Sequence, residues 1–286
     1  MSDIRKNPTL PSALYVVATP IGNREDLTYR AKAVLASVDC ILAEDTRVTG
    51  HLLSEMGIKT RLISFNAHSE EGKSHRVIEA LESGQAIALV SDAGTPGISD
   101  PGRLVVAACL QQGLSVVPVP GVSALATAIS VSGLPAAPSH FFGFLPAKGG
   151  AREQSLTDSL AMPGTVIFYE APHRIVDLAK RLDERALGRV VVFARELTKT
   201  FEQIVCVDAG QCERWCVENP DRIRGEFVVL VGPNSEPGGK LDLDSDRLLR
   251  VLARELPPSR AAAVAAELTG QSKRALYRRL TDVPPE

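Results

Sequence analysis

The sequence predicts an α/β protein of two α/β domains, the first around a largely parallel sheet and the second around a mixed one, followed by a small helical appendage. Three observations carry that expectation. Between Ala13 and Leu134, apolar strand-like runs alternate with segments of helical spacing, which implies right-handed crossovers and a parallel sheet. From residue 139 phenylalanines cluster, a Lys-Gly-Gly stretch interrupts the pattern, and further on two strand signals follow one another directly, which favours antiparallel pairing. Finally, the polar segment NSEPGGKLDLD precedes a stretch with only helical periodicity. The expected boundaries are 12–138 and 139–233 for the two α/β domains, 234–244 for the linker and 245–283 for the helix-turn-helix-like appendage.

Each element has a local justification. ALYVVAT (13–19) is a β-rich run stopped by Pro20 in the turn TPIGN, LTYRAKAVLASV (27–38) has helical spacing, and CILAED (40–45) is the next strand. RVTGHLLSEMG (47–57) is a helix closed by glycine, TRLISF (60–65) a strand, and HRVIEALESG (75–84) a helix with a glycine stop. QAIALVSD (85–92) is continuously apolar, as a buried strand should be; RLVVAACLQQG (103–113) is a helix, SVVPVP (115–120) a strand and GVSALATAISVSGL (121–134) an alanine-rich helix. The five strand ends should then line one crevice, where sheets of this kind bind ligands. In the second domain TVIFYE (165–170), RVVVFAREL (189–197), TFEQIVCVDA (200–209) and GEFVVLVG (225–232) read as strands and HRIVDLAKRLDERA (173–186) as a helix. The tail contributes helices at 259–268 and 271–280 around a Thr-Gly turn.

Composition excludes several classes. The chain has 286 residues, 44% hydrophobic and 23% charged, as an ordinary globular protein does. Its apolar runs fall far short of the ~20 residues that span a membrane, and MSDIRKNPTLPSA has no apolar signal region, so a cytoplasmic location without membrane contact is expected. The cysteines (Cys40, Cys109, Cys206, Cys212 and Cys216) are odd in number and scattered, which argues against a disulfide framework. The tightest three lack C-x-x-C spacing and a nearby histidine, so packing rather than a metal site is expected. Net charge is −2, so a nucleic-acid partner must be met by a local patch. Such a patch exists between Asp246 and Asp282, with eight basic residues against four acidic ones.

The most informative loop is VSDAGTPGISDPG (90–102). It has the glycines of a phosphate cradle but no lysine, and neither it nor TPIGNREDLT matches a P-loop or a dinucleotide fingerprint. Asp92 and Asp100 repel phosphate and favour a cationic or hydroxyl-rich ligand. S-adenosylmethionine, a nucleoside with a sulfonium and an ammonium, fits that polarity better than ATP; simple turn capping by the two aspartates is an equally open reading. Ser123, or the turn before it, can start a helix whose free amides attract a carboxylate, or it is an ordinary N-cap.

The motifs TPIGNREDLT, AEDTRVTG, VSDAGTPGISDPG, VPVPGVSALATAISVSGLP, GFLPAK, FYEAPHR and ARELTKTFE run in one order from Leu14 to about Gly232. Together they resemble the tetrapyrrole-methylase-like (class III) methyltransferases. TPIGN and SDAGTPG replace the more glycine-rich first turn and the G-D-P loop of the porphyrin-precursor members, which favours the RNA-modifying branch. That branch often shows H-x-H-N-E; NAHSE at 66–70 departs from it and keeps only His68 and Glu70. The resemblance implies 2′-O-methylation of a cytidine ribose in the decoding region of small-subunit rRNA, within the small ribosomal subunit. It implies S-adenosylmethionine as donor, bound between the two domains of a homodimer, and no metal. A small-molecule (tetrapyrrole-like) methyltransferase and a non-catalytic donor-sensing regulator that binds nucleic acid are the competing functions.

The residues that the resemblance places around the donor are Pro20, Asp92, Ala93, Gly94, Ile98, Asp100, Ser123, Ala124 and Tyr169. Among the charged residues at strand ends, Lys199, Glu170 and Glu44 are candidates for the base or hydroxyl-orienting group. Arg47, Arg174 and Arg195, planar and permanently charged, suit RNA phosphates, with His68 beside them and Lys273 and Arg274 in the tail. Domain-interface salt bridges, a structural histidine and a helix packed on the body are the competing assignments.

Overall fold

The computed structural model describes residues 10–66, 70–234, 245–269 and 271–281. The first half comprises β1 (Ala13–Val17), α1 (Tyr29–Ser37), β2 (Cys40–Ala43), α2 (Thr46–Glu55), β3 (Arg61–Ser64), α3 (Glu70–Glu82), β4 (Ala86–Val90), α4 (Arg103–Gln111), β5 (Val116–Val119) and α5 (Ala124–Ser132). The second comprises β6 (Ser139–Phe144), α6 (Gly150–Leu160), β7 (Thr165–Glu170), α7 (Ile175–Arg185), β8 (Val190–Arg195), β9 (Gln203–Asp208), α8 (Cys212–Val217) and β10 (Phe227–Val231). Helices α9 (Ser245–Glu255), α10 (Pro258–Thr269) and α11 (Lys273–Thr281) follow.

The first sheet is parallel throughout, in the order β3-β2-β4-β1-β5. CILA and AIALV are buried at every position because helices cover both faces, which is why these strands read as unbroken apolar runs. This order sets β1 beside β4, so the loops that leave their carboxyl ends meet. Thr19 and Gly94 exchange both backbone hydrogen bonds at 2.9 Å, stapling the TPIGN turn to the glycine-rich loop.

The second sheet has the order β6-β7-β10-β8-β9, with β6 parallel to β7 and every other pair antiparallel. Its strands alternate between two faces. Val166 and Phe168 of β7, Phe193 of β8 and Val229 of β10 pack with α6, α7 and α8, while Ile167, Val192, Val228 and Leu230 pack against α5. Trp215 of α8 stacks on Phe193 with ring centroids 4.7 Å apart.

Besides α9, the first helix of the tail, three elements escaped the sequence reading. SHFFGF pairs as the edge strand β6, but a register shift between Phe141 and Gly143 breaks its alternation. GAREQSLTDSL folds as α6, yet two of the three side chains it buries are Arg152 and Ser159, so no apolar stripe betrays it. Helix α8 spans only six residues and relies on a remote cap. The Asp183 carboxylate accepts hydrogen bonds from the amides of Gly210 (2.7 Å), Cys212 (2.8 Å) and Glu213 (2.9 Å). Asp183→Ala leaves those donors without that partner and is expected to lower stability by about 1–2 kcal/mol in urea unfolding; an unchanged midpoint would show that water replaces the cap without loss.

By contacts the chain divides into a unit ending at Asn234 and a second unit that contains α9, α10 and α11. In the latter, Leu249, Ala262, Ala265 and Leu276 close a small core. Residues 235–244 of the expected linker lie outside the described residues. Among the described residues no helix is long and apolar enough to cross a membrane.

Candidate active site

A cavity of 360 Å³ opens between the carboxyl edge of the first sheet and the α5-facing side of the second, a size that suits a small-molecule ligand. Strand parity builds its far wall: Ala194, Tyr169 and Val228, from three adjacent strands, point to this side. The near wall is the loop after β4. Gly94 there has φ +79°, a conformation that L side chains rarely adopt, and a Cβ on it would touch Ile21 at 3.4 Å.

Seven of the nine expected donor residues line this cavity: Ala93, Gly94, Ile98, Asp100, Ser123, Ala124 and Tyr169. Pro20 and Asp92 do not. Pro20 only precedes the lining residue Ile21, and Asp92 Oδ1 accepts the Asp45 amide at 2.9 Å, beside the end of β2. Phe144, Leu197 and Glu226 line it as well and were not anticipated. Phe144 was legible in GFLPAK, and its ring meets that of Tyr169 edge-on at 5.7 Å.

The polar groups converge on two spots. At one, α5 begins at Ser123, whose side chain makes no capping bond, so amides of its first turn remain available at the cavity wall. The Leu125 amide hydrogen-bonds Tyr169, whose hydroxyl pKa burial nevertheless raises. At the other spot Asp100 lines the cavity, and Glu44 and Asp92, which do not line it, join Asp100 in a carboxylate cluster. Burial raises the pKa of Glu44, and the charges of Asp100, Asp92 and Asp45 add to it against a hydrogen bond from the Asp92 amide. Asp100 is raised by burial too, and by Asp92, with a Ser91 hydrogen bond opposing. Crowded carboxylates of this kind hold a proton readily and welcome a cation.

The structure engages four other expected site residues elsewhere. Glu170 borders the cavity, but its side chain is fully buried and accepts from Arg152 Nη2 at 2.9 Å, with Arg174 Nε 3.1 Å away. Parity explains it: Tyr169 and Glu170 are consecutive on β7 and face opposite sides. Arg174 donates to the carbonyls of Leu145 (2.7 Å) and Pro146 (3.1 Å), so it ties GFLPAK to FYEAPHR instead of reaching outward. Arg195 is 9% exposed and donates to the Arg224 carbonyl at 2.6 Å. Lys199 Nζ sits 2.9 Å from both Glu196 and Glu226. Burial works against its ammonium, yet the hydrogen bonds and charges of those two glutamates outweigh that and raise its pKa. A lysine so held is a cation, not a base.

Lys199 belongs to a turn with stored strain. Glu196 and Thr198 have φ of 50° and 64°, and non-glycine residues there persist only where the surroundings impose it. The Asn23 amide donates to Thr198 Oγ1 at 2.9 Å and links this turn to TPIGN. Arg47 is exposed in the first turn of α2, where its hydrogen bonds lower the pKa of Asp45 to about 2. Lys273 and Arg274 are exposed in the first turn of α11, in the second unit. His68 lies outside the described residues.

The comparisons agree with this arrangement. Residues 13–212 match the family model of the tetrapyrrole (corrin/porphyrin) methylases, and residues 240–282 match that of the RsmI C-terminal HTH domain. The chain is 46% identical over 280 residues to ribosomal RNA small subunit methyltransferase I of Vibrio cholerae serotype O1, covering 97% of each. Among solved structures, the methyltransferase CobJ aligns with a TM-score of 0.59 at 20% identity, over 79% of this chain and 97% of that one. Uroporphyrin-III C-methyltransferase from Thermus thermophilus, solved with S-adenosylhomocysteine, aligns with a TM-score of 0.54 at 20% identity, over 77% and 97%. With its parallel first sheet, mixed second sheet and carboxyl-terminal helices, the chain belongs to the tetrapyrrole (corrin/porphyrin) methylase family, in the branch that carries the RsmI C-terminal helix-turn-helix domain.

Proposed function

We propose that this protein methylates the ribose 2′-hydroxyl of a cytidine in the decoding region of small-subunit rRNA, with S-adenosylmethionine as donor, and that it acts on the small ribosomal subunit as a cytoplasmic homodimer. Its working parts would be the two α/β domains, 12–138 and 139–233, and the helical tail, 245–283. The observation that carries the reading is the juxtaposition of a donor-sized cavity with the carboxylate cluster at the ends of β2 and β4.

The residues present fit the donor. Asp100 would hold its cationic end, the free amides at the start of α5 its carboxylate, and the apolar wall of Ile21, Ile98 and Val228 its adenosine. Bound there, S-adenosylmethionine supplies a methyl group on a reactive sulfonium, so alignment of the acceptor does much of the work. A ribose hydroxyl is a poor nucleophile at neutral pH. Of the three candidate bases, Glu44 alone has a carboxylate free of a cationic partner and a raised pKa; Glu170 and Lys199 are committed to ion pairs. Glu44 therefore takes the hydroxyl proton. Arg47 stands exposed three residues further along the chain and serves an RNA phosphate, and Lys273 and Arg274 do the same from the positive end of α11.

The decisive experiment incubates small ribosomal subunits from cells lacking the gene with the purified protein and labelled S-adenosylmethionine, and maps the label by mass spectrometry. A 2′-O-methylcytidine in the decoding region is expected. Donor binding without label in RNA would instead favour a small-molecule acceptor.

A further inference from the structure

The geometry points to Glu70 as a positioning residue for the donor: from the start of α3 its carboxylate holds the closing end of the loop after β4 in its binding shape. The inference rests on the reading of the cavity as the donor site. Glu70 is 5% exposed, and its Oε1 accepts hydrogen bonds from the amides of Gly102 (3.0 Å), Leu104 (2.8 Å) and Val105 (3.2 Å). Those are the N-cap, second and third residues of α4, whose amides have no partner within the helix.

A capping side chain cannot come from the usual place. Gly102 has φ +129°, and a Cβ on it would lie 2.7 Å from Leu89 Cδ2, so the N-cap residue must remain glycine and has nothing to cap with. The cap is therefore delivered across the fold, from a residue 32 positions earlier in the chain, and its negative charge meets the positive end of the helix.

The loop between β4 and α4 has two anchors. The front one is the backbone exchange between Thr19 and Gly94, reinforced by Thr95 Oγ1 donating to the Val122 carbonyl at 2.9 Å. The rear one is Glu70. Ile98, Ser99 and Asp100, which line the cavity, lie between them. Loss of the rear anchor leaves the front intact but lets the wall that faces the donor relax. Glu70 does not itself line the cavity and acts through the loop that does, so its effect belongs to donor affinity.

The test is calorimetric titration of S-adenosylmethionine into the full chain, with steady-state kinetics on small subunits alongside. Glu70→Ala is expected to weaken donor binding about 5- to 10-fold, the scale of a lost helix cap. The KM for donor rises by the same factor, and kcat at saturating donor stays within about twofold. Glu70→Gln, which keeps an acceptor oxygen but not the charge, falls between. Leu81→Ala, at the far end of the same helix and buried in the same core, controls for general loosening: it lowers the melting temperature and leaves donor affinity unchanged. Wild-type affinity in Glu70→Ala, or equal weakening in Leu81→Ala, overturns the positioning role. No donor binding by the wild-type chain overturns the donor reading, and this inference with it.

Discussion

Glu44→Gln is expected to lower kcat by about 10²–10⁴-fold, the range a positioned base contributes, while donor affinity stays close to wild type. The substitution keeps the side chain's length and an acceptor oxygen, so it removes basicity and charge and little else. Two further signs go with it. In the wild-type enzyme the rate should rise with pH through the Glu44 pKa, because the base works deprotonated. Burial and the neighbouring Asp100 hold that pKa above the ordinary glutamate value, so the rising limb lies above the range of an exposed carboxylate. The second sign concerns stability. A raised carboxylate pKa means that the folded chain binds this proton more tightly than the unfolded one. Stability is therefore lost as pH climbs from the ordinary glutamate range through the raised pKa of the folded chain. A neutral amide in that place escapes the loss, so Glu44→Gln should melt slightly higher than wild type while losing its rate. A pH–rate profile and a melting curve on one preparation test both signs. An unaltered kcat ends the case for Glu44, and a reduced melting temperature would mean that the cluster is a structural one.

The first sheet was legible because its physics is local. Strands covered on both faces must be apolar throughout, and helices ended by Gly57, Gly84 and Gly113 mark their own stops. The cavity-lining loop after β4 was legible for a related reason: Asp100 and Gly94 lie within thirteen consecutive residues, so polarity and backbone freedom can be read together. What stayed hidden depends on partners distant in the chain. Nothing near Arg152 announces that it faces Glu170, and a helix that buries an arginine and a serine leaves no apolar stripe. Arg174 and Arg195 look like phosphate ligands in sequence because their carbonyl acceptors, at Leu145, Pro146 and Arg224, leave no mark on composition. Alternation along TVIFYE did carry a usable signal. If Tyr169 faces the donor, the adjacent Glu170 must face the helices behind the sheet.

That orientation sets the second large effect. Arg152→Ala should lower global stability by about 3 kcal/mol, the low end of the cost of breaking a buried ion pair, because Arg174 stays 3.1 Å from Glu170. The pair lies deep: the side chains of Arg152 and Glu170 are 2% and 0% exposed. Arg152 also reaches Asp177 at 3.2 Å and the Pro146 carbonyl at 3.3 Å, while Glu170 accepts the Ala171 amide at 2.9 Å. One network thus fastens α6, the end of β7, the start of α7 and the GFLP turn. Deleting either charge leaves the other in low dielectric with only its secondary partner, Arg174 at 3.1 Å for Glu170 and Asp177 at 3.2 Å for Arg152. Glu170→Gln should accordingly behave like Arg152→Ala in urea unfolding, and added salt should restore little, because a pair shielded from solvent is barely screened. Activity separates this from catalysis. If Glu170 is structural, the fraction that remains folded turns over within a few-fold of wild type, and replacing both residues by apolar ones of similar volume recovers most of the stability. A Glu170→Gln enzyme with wild-type stability and a rate reduced by about 10² or more would return Glu170 to the list of bases. The observed geometry predicts the opposite pairing, a damaged fold with its chemistry intact.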